Sequence, residues 1–142
     1  YFSNNAISKN AALEIKKYFN KKYVCADLAH IELILNGGNN VKNPLCRAMS
    51  SNIVISPDNQ LMLPCFHRCF KKIKIDNNLY KIYKSKEAAE LRKQEGKFGF
   101  CNGCAIYCYM KTSMYRKVFS KYFYLSLKTG YKFLRERARK QF

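Results

Sequence analysis

Acidic residues are scarce in this sequence. Nine Asp or Glu stand against 27 Lys or Arg, which leaves a formal net charge of +18. A charge of that size draws a protein to anions, so nucleic acid and anionic membrane surfaces are candidate partners, although the charge says nothing about fold. A second explanation stays open, since the abundant Lys, Asn, Ile, Tyr and Phe are also what an AT-rich coding sequence produces.

Long apolar runs are also missing. No stretch of the sequence reaches the length of a membrane-spanning helix, and the first residues lack the basic-then-apolar layout of a signal peptide. The chain does not begin with Met, so we expect it to be cut from a longer protein. Without an export signal the expected compartment is the reducing cytoplasm, where clustered cysteines are more often metal ligands than disulfides.

Helical signals lie at both ends of the first hundred residues. The length of 142 residues and the hydrophobic content of 48% suit one domain with a real core. Apolar spacing predicts a helix over residues 5–21. Asp27 is a good N-cap for a second helix, which the adjacent glycines 37 and 38 end. Ser85 caps a third, stopped by Gly96. His30 falls within the second helix and is assigned no role.

The middle of the chain predicts a β-hairpin. Ser51–Ser56 and Gln60–Pro64 are rich in strand-forming residues, and the turn between them ends on Asn59, which tolerates a left-handed backbone. Residues 66–78 are predicted irregular, and 79–83 a short helical turn. The predicted fold class is therefore α+β: a small β-hairpin with flanking helices and cysteine-rich loops around a metal cluster, plus a basic C-terminal helical tail.

The tail is basic and amphipathic. Residues 111–142 hold ten Lys or Arg and one acid, and we predict a basic amphipathic helix over 113–142, with Gly130 as a weak point. Its apolar residues repeat at helical spacing: Phe119, Phe123, Leu127, Tyr131 and Leu134. We expect this face to pack on another domain. An interfacial helix on an anionic membrane is the alternative, and a solvated helix is the third.

Six of the seven cysteines form two groups. The first group, Cys46, Cys65 and Cys69, brackets the hairpin. The second group is the motif C-x2-C-x3-C, which comprises Cys101, Cys104 and Cys108. A C-x2-C loop directs two thiolates at one metal centre, and two more from a distant segment complete a four-sulfur site. That arrangement suits either tetrahedral zinc or a cubane iron–sulfur cluster.

The remaining metal-binding candidates stay open. Cys25 stands alone and is predicted to be a buried free thiol. Cys69 is either a ligand or a buried thiol. His67 lies between Cys65 and Cys69, where it would ligate the metal, donate a hydrogen bond to a cluster sulfur, or remain a solvated loop residue.

The order of these elements resembles the auxiliary-cluster region at the C-terminal end of radical SAM enzymes. That region is called SPASM when it holds two extra clusters and twitch when it holds one. It runs cysteine, hairpin, cysteine, a Gly-Asn-Leu … Ile-Trp … Ser stretch, a helix and C-x2-C. Here Asn59 takes the place of the turn glycine, and Asn78-Leu79, Ile82-Tyr83 and Ser85 match the middle stretch, with Tyr for Trp. The resemblance covers about residues 44–112, and the CxxCxxxCY ending is closest to uncharacterised radical SAM proteins of archaeal type.

The resemblance implies one auxiliary [4Fe-4S] cluster, because the further cysteines of a two-cluster region are absent. Its ligands by position are Cys46, Cys65, Cys101 and Cys104, with Cys108 as a substitute for one of the last pair. The radical SAM signature C-x3-C-x2-C is absent too. S-adenosylmethionine and a second [4Fe-4S] cluster are therefore expected only in an N-terminal barrel that this chain lacks, and residues 1–43 would be a helical linker or the end of that barrel.

Two functions follow. The resemblance implies that this chain is the cluster-binding portion of a radical SAM enzyme and is not catalytic alone. It would support electron transfer or substrate binding for its partner, the N-terminal barrel. The substrate is unknown. The alternative is a zinc-binding, basic nucleic-acid-binding protein. The net charge and the interleaved aromatics of the tail suit nucleic acid, but the sequence has neither a His-x3–5-His pair nor a second C-x2-C.

Overall fold

The computed structural model describes residues 7–22 and 24–139. The α+β class is confirmed, since seven α-helices and one two-stranded antiparallel sheet form within the described residues. In chain order the elements are α1 (Lys9–Lys17), α2 (Leu28–Leu35), α3 (Ala48–Ser51), β1 (Gln60–Leu63), β2 (Lys71–Lys74), α4 (Leu79–Lys84), α5 (Lys86–Lys93), α6 (Tyr107–Arg116) and α7 (Lys121–Ala138). A 3-10 turn, Gly99–Cys101, lies between α5 and α6.

The predicted helix caps are confirmed. The Asp27 carboxylate accepts hydrogen bonds from the N–H groups of Ala29 at 3.0 Å and His30 at 3.4 Å, so it satisfies two amides that the first turn of α2 leaves free. The Ser85 hydroxyl accepts from the Ala88 N–H at 3.3 Å and begins α5. Helix α1 is shorter than the predicted span 5–21, of which residues 5 and 6 lie outside the described part of the chain.

The sheet differs from the predicted hairpin. Asn59 does turn the chain with φ 58°, as expected. However, β1 pairs mainly with β2, in a register that sets Gln60 opposite Lys74 and Leu63 opposite Lys71. Of the predicted first strand, one isolated bridge remains, from Ile55 to Leu61.

Strand β2 lies in a segment that we predicted to be irregular. Its three lysines are exposed, so the sequence lacks the alternation that marks a half-buried strand. Ile73 packs towards a buried cluster that contains Leu61, Leu63 and Ile75. Pairing with β1 therefore overrides the poor strand propensity of the lysines.

One buried cluster contains residues from the helical segment 1–43, from the cysteine-bearing segment 44–112 and from the tail. Ala29 and Leu33 of α2 pack with Leu45, with α6 and with the start of α7, and this cluster also contains Cys46. The buried residues of α6 that face it are Tyr109, Met110 and Met114. Cys46 is consequently buried within this cluster.

Helix α7 packs on the rest of the described chain through small polar side chains. Ser126 and Thr129, each 1% exposed, lie against the rest of the fold, and the Thr129 hydroxyl accepts from the Leu28 N–H at 3.2 Å. Small side chains let α7 approach α2 closely. Phe119 has φ 66° and separates α6 from α7, whereas Gly130 lies inside α7 without interrupting it.

Candidate metal centre

The four predicted ligands lie on three segments of the chain. Cys46 precedes α3, Cys65 follows β1, and Cys101 and Cys104 flank the turn before α6. Burial raises the pKa of the Cys46 thiol to about 12, and the neighbouring thiols of Cys104, Cys101 and Cys65 raise it further. Cys65 and Cys104 pack against the buried cluster that contains Cys46.

Burial and neighbouring thiols also raise the pKa of Cys101 and of Cys65. Burial, then Cys104 and Cys65, raise the pKa of Cys101 to about 11. Burial is the main cause that raises the pKa of Cys65, to which Cys104 and Cys69 add. Since each thiolate would repel the others, the site favours neutral thiols unless a cation is bound, and a metal centre supplies that positive charge.

Backbone amides point at three of the sulfurs. These hydrogen bonds lower the pKa of each thiol and so oppose the effect of burial. The donors are Ala48 for Cys46, His67 and Arg68 for Cys65, and Phe98 and Gly96 for Cys101. Amide hydrogen bonds of this kind stabilise thiolate sulfur and tune the potential of iron–sulfur clusters.

Asn39 joins the ligand-bearing segments. Its side chain is 1% exposed and its amide nitrogen donates to the carbonyls of Gly96 at 2.9 Å and Cys101 at 3.1 Å. Its amide oxygen accepts from the N–H groups of Leu45 at 2.9 Å and Cys46 at 3.0 Å. All four polar contacts of one buried side chain are thus used to hold Cys46 beside Cys101.

The backbone around Asn39 adds a second attachment to the C-x2-C loop. The Asn39 N–H donates to the Cys104 carbonyl at 2.8 Å, and the Gly103 N–H donates to the Asn39 carbonyl at 2.8 Å. Gly38, with φ +82°, lies so close to this loop that an added Cβ would be 2.2 Å from the Gly103 oxygen. The sequence gave no signal for this pairing beyond two glycines at a helix end.

Two further side chains fix the segments that carry Cys65 and Cys46. The Tyr109 hydroxyl accepts from the Phe66 N–H at 2.9 Å, directly after Cys65. The buried Glu95 carboxylate accepts from the N–H groups of Met49 at 3.1 Å and Ser50 at 3.0 Å, at the start of α3. A carboxylate at a helix N-terminus is favourable there because it meets free amides.

The other cysteines are placed differently. Cys108 is exposed in the first turn of α6, and it is not among the thiols with the largest effects on Cys46, Cys65 or Cys101. Cys69 is partly buried and directs its sulfur to the Lys71 carbonyl at 3.4 Å. Cys25 is exposed, so the prediction of a buried thiol is wrong. It precedes α2 outside the buried face that Ala26 and Leu28 form.

The two histidines lie near the cysteine loops. His67 stands with its ring edge-on to that of Tyr109, the centroids 5.8 Å apart, and its backbone amide supports Cys65. His30, to which the sequence assigned no role, donates from Nε2 to the Ala105 carbonyl at 2.7 Å. His30 therefore anchors the residue that follows Cys104.

Three phenylalanine rings contact one another near Cys69 and Cys101 in the sequence. Phe98 and Phe100 are stacked with their centroids 5.1 Å apart, and Phe70 lies 6.2 Å from Phe98. Phe70 is 68% exposed. Phe70 follows Cys69 and Phe100 precedes Cys101 in the sequence.

Within residues 7–22 and 24–139, no group of three or more His, Cys, Asp or Glu side chains is placed so that it could hold a metal ion. No helix in that part of the chain is long and apolar enough to cross a membrane. No protein-family model matches the sequence, and comparisons with curated proteins and with solved structures found no significant similarity.

Proposed function

We propose that this chain is the auxiliary-cluster portion of a radical SAM enzyme. Cys46, Cys65, Cys101 and Cys104 would hold one four-iron cluster, and the catalytic barrel would precede residue 1 in the full-length protein. The observation that carries the proposal is that Cys65 and Cys104 pack against the buried cluster that contains Cys46. Asn39 joins Cys101 to the same Cys46 segment, and these four cysteines are the ones that the resemblance implies.

The residues present fit such a group. Four thiols match the usual ligand set of a cubane cluster, the amides of Ala48, His67 and Gly96 are available to their sulfurs, and Asn39 fixes the spacing of two segments. Cys46 is 7% exposed, so the fold excludes water on that side.

The number of thiols favours electron transfer over substrate binding. A cluster with four protein thiolates has no open iron, and when bound it supplies a one-electron carrier. The chain's own part is to bury the sulfurs, donate hydrogen bonds to them and orient the loops. The burial of Cys46 would limit solvent access on one side, which together with the hydrogen bonds sets the potential.

Reconstitution under anaerobic conditions tests the proposal. We expect a brown protein with broad absorption near roughly 400 nm, which dithionite bleaches reversibly with the appearance of an electron paramagnetic resonance signal. Added cyanide should leave that signal unchanged, because no iron is open. A colourless protein that binds zinc in place of iron would contradict the proposal.

Cysteine variants test the ligand set. Cys46→Ala, Cys65→Ala, Cys101→Ala and Cys104→Ala should each lose most of the bound iron, because each removes one thiolate from a shared centre. Cys25→Ala is the matched control and should keep its iron, as should Cys108→Ala. Iron loss in the Cys25 variant would show that the cysteines are divided wrongly.

A further inference from the structure

The outer face of α7 carries a strip of large apolar side chains that nothing in the described part of the chain covers. Tyr124, Leu127, Tyr131 and Leu134 are 68%, 52%, 69% and 69% exposed. With 3.6 residues per turn they fall on one side of the helix, together with Phe123. We call these five residues the α7 apolar strip.

The opposite face of α7 is already occupied. Thr129 meets the start of α2, and the Lys132 ammonium donates to the carbonyls of Lys21 at 3.1 Å and Val24 at 2.9 Å. These contacts fix the rotation of α7 about its axis. The strip therefore faces outward because these contacts orient α7, and not because α7 is loosely attached.

Unpaired cations accompany the strip. Lys121 pairs with Glu32 and Lys132 with Glu136, but the other exposed cations of α7 and its C-cap form no ion pair among the described residues. They are Lys128, Arg135, Arg137 and Arg139. On a helix, Lys128, Arg135 and Arg139 follow one another at spacings of seven and four residues, along one border of the strip.

The combination selects the partner by its chemistry. Single-stranded nucleic acid would use the cations and the tyrosine rings, but it offers little to Leu127 and Leu134, which have no ring on which a base can stack. A protein surface would need acidic groups around an apolar groove. An anionic bilayer supplies a negative surface above an apolar interior, in the order in which α7 presents its own groups.

We infer that α7 binds the surface of an anionic lipid bilayer. The strip enters the boundary between headgroups and acyl chains, where tyrosine rings are favoured, and the bordering cations meet lipid phosphates. The helix lies in the plane of the interface and does not cross it. This inference is independent of the proposed cluster.

A single tryptophan reports the contact directly, because the chain has none of its own. Tyr131→Trp places the probe in the strip, and Tyr80→Trp is the matched control, since Tyr80 is 70% exposed on α4. With vesicles of phosphatidylcholine and phosphatidylglycerol, the emission of the Tyr131 variant should shift to shorter wavelength. Phosphatidylcholine vesicles alone should shift the emission of neither variant.

A second pair of variants separates insertion from charge. Leu127→Gln with Leu134→Gln should weaken flotation with the anionic vesicles about tenfold, since burial of the leucines is lost. Leu13→Gln with Ile53→Gln, at residues 49% and 52% exposed, should bind as the unaltered chain does. Circular dichroism spectra of the two double variants and of the unaltered chain should agree.

Several results would overturn the inference. Vesicle binding without a shift at the Tyr131 probe would mean attraction by net charge alone. Equal binding of the two double variants would exclude the strip. An emission shift caused by single-stranded RNA but not by vesicles would assign α7 to nucleic acid. Emission already at shorter wavelength when neither vesicles nor RNA is added, with a doubled mass in sedimentation, would assign it to self-association.

Discussion

Asn39 is the residue on which the geometry of the site most depends. A buried asparagine that uses both donors and both acceptor positions contributes more than its own hydrogen bonds, because its removal leaves the carbonyls of Gly96 and Cys101 and the amides of Leu45 and Cys46 unpaired. Unpaired buried polar groups are among the few causes of large losses in stability.

Asn39→Ala should therefore lower the free energy of unfolding by about 3 kcal/mol, as measured by urea denaturation. It should also reduce the iron that is retained after reconstitution, although it removes no thiol. Asn77→Ala, an exposed asparagine, is the control and should change both quantities little. A stable Asn39→Ala protein with full iron content would mean that the thiols position themselves.

At the scale of elements, the junction between the end of α2 and the C-x2-C loop limits what the sequence can vary. Gly37 and Gly38 have nearly the same backbone, with φ +83° and +82°, so an alanine at either is strained to a similar degree. Only at Gly38 would the new methyl group also overlap the Gly103 carbonyl, at 2.2 Å; nothing lies within 4 Å at Gly37.

The two glycines thus form a matched pair. Gly37→Ala should cost about 1 kcal/mol of unfolding free energy, and Gly38→Ala should cost at least about 2 kcal/mol more, because the backbones must separate. Urea denaturation of the two variants measures the difference directly. Equal losses would show that the loop does not press on α2 as closely as described.

The arrangement of α1, α2 and α7 depends on a shared carboxylate. Glu32 on α2 accepts hydrogen bonds from Lys121 of α7 and from Lys16 of α1, the latter at 2.9 Å. These hydrogen bonds, that of Lys121 first, lower the pKa of Glu32 to about 2. A carboxyl group whose pKa is lower in the folded state stabilises the fold above its unfolded pKa and loses that contribution as the pH falls.

Stability should consequently fall between about pH 4.5 and pH 2, and Glu32→Gln should flatten part of that loss. The difference should be about 1 kcal/mol, since both lysines are about half exposed to screening water. Thermal unfolding across this pH range measures it. Glu14→Gln, at an exposed pair within α1, is the control; an identical profile for both variants would contradict a role for Glu32 in joining the helices.

Local chemistry accounts for the elements that could be predicted. Asp27 and Ser85 cap helices through bonds to residues two or three positions away, and Asn59 turns the chain by its own backbone preference, so sequence suffices. Strand β2 was missed because its three lysines carry no alternation, and only pairing with β1 makes it a strand. The contact of α7 with α2 was not predicted, because Ser126 and Thr129 are small and polar, and their burial depends on close approach to α2.

For the whole molecule, the cysteine groups predicted which segments meet, but not what holds them. The resemblance implied Cys46, Cys65, Cys101 and Cys104 as ligands, whereas Asn39 is one asparagine among several until the fold brings it between two loops. Long-range pairings of this kind depend on the packing of α2 against α6 and α7, for which a single sequence has no local signal.

Metal removal should affect the molecule unevenly. The loops 64–70 and 96–106 lack regular structure over most of their length, so a bound metal centre adds its binding free energy to their folding. Trypsin should cut a chelator-treated sample after Arg68 and Lys97 much faster than a reconstituted one. Cleavage after Lys81 and Lys86, in α4 and α5, is the internal control and should change less. Identical digestion of the two samples would mean that the loops hold without metal.

The count of metal and sulfide in one anaerobically reconstituted sample tests the central claim most directly. Iron, acid-labile sulfide and zinc are measured against protein concentration in the unaltered chain and in Cys46→Ala. The account predicts roughly four irons and four sulfides per chain with little zinc, and the loss of most of both in the variant. One zinc per chain without sulfide, or an iron content that Cys46→Ala leaves intact, would contradict it.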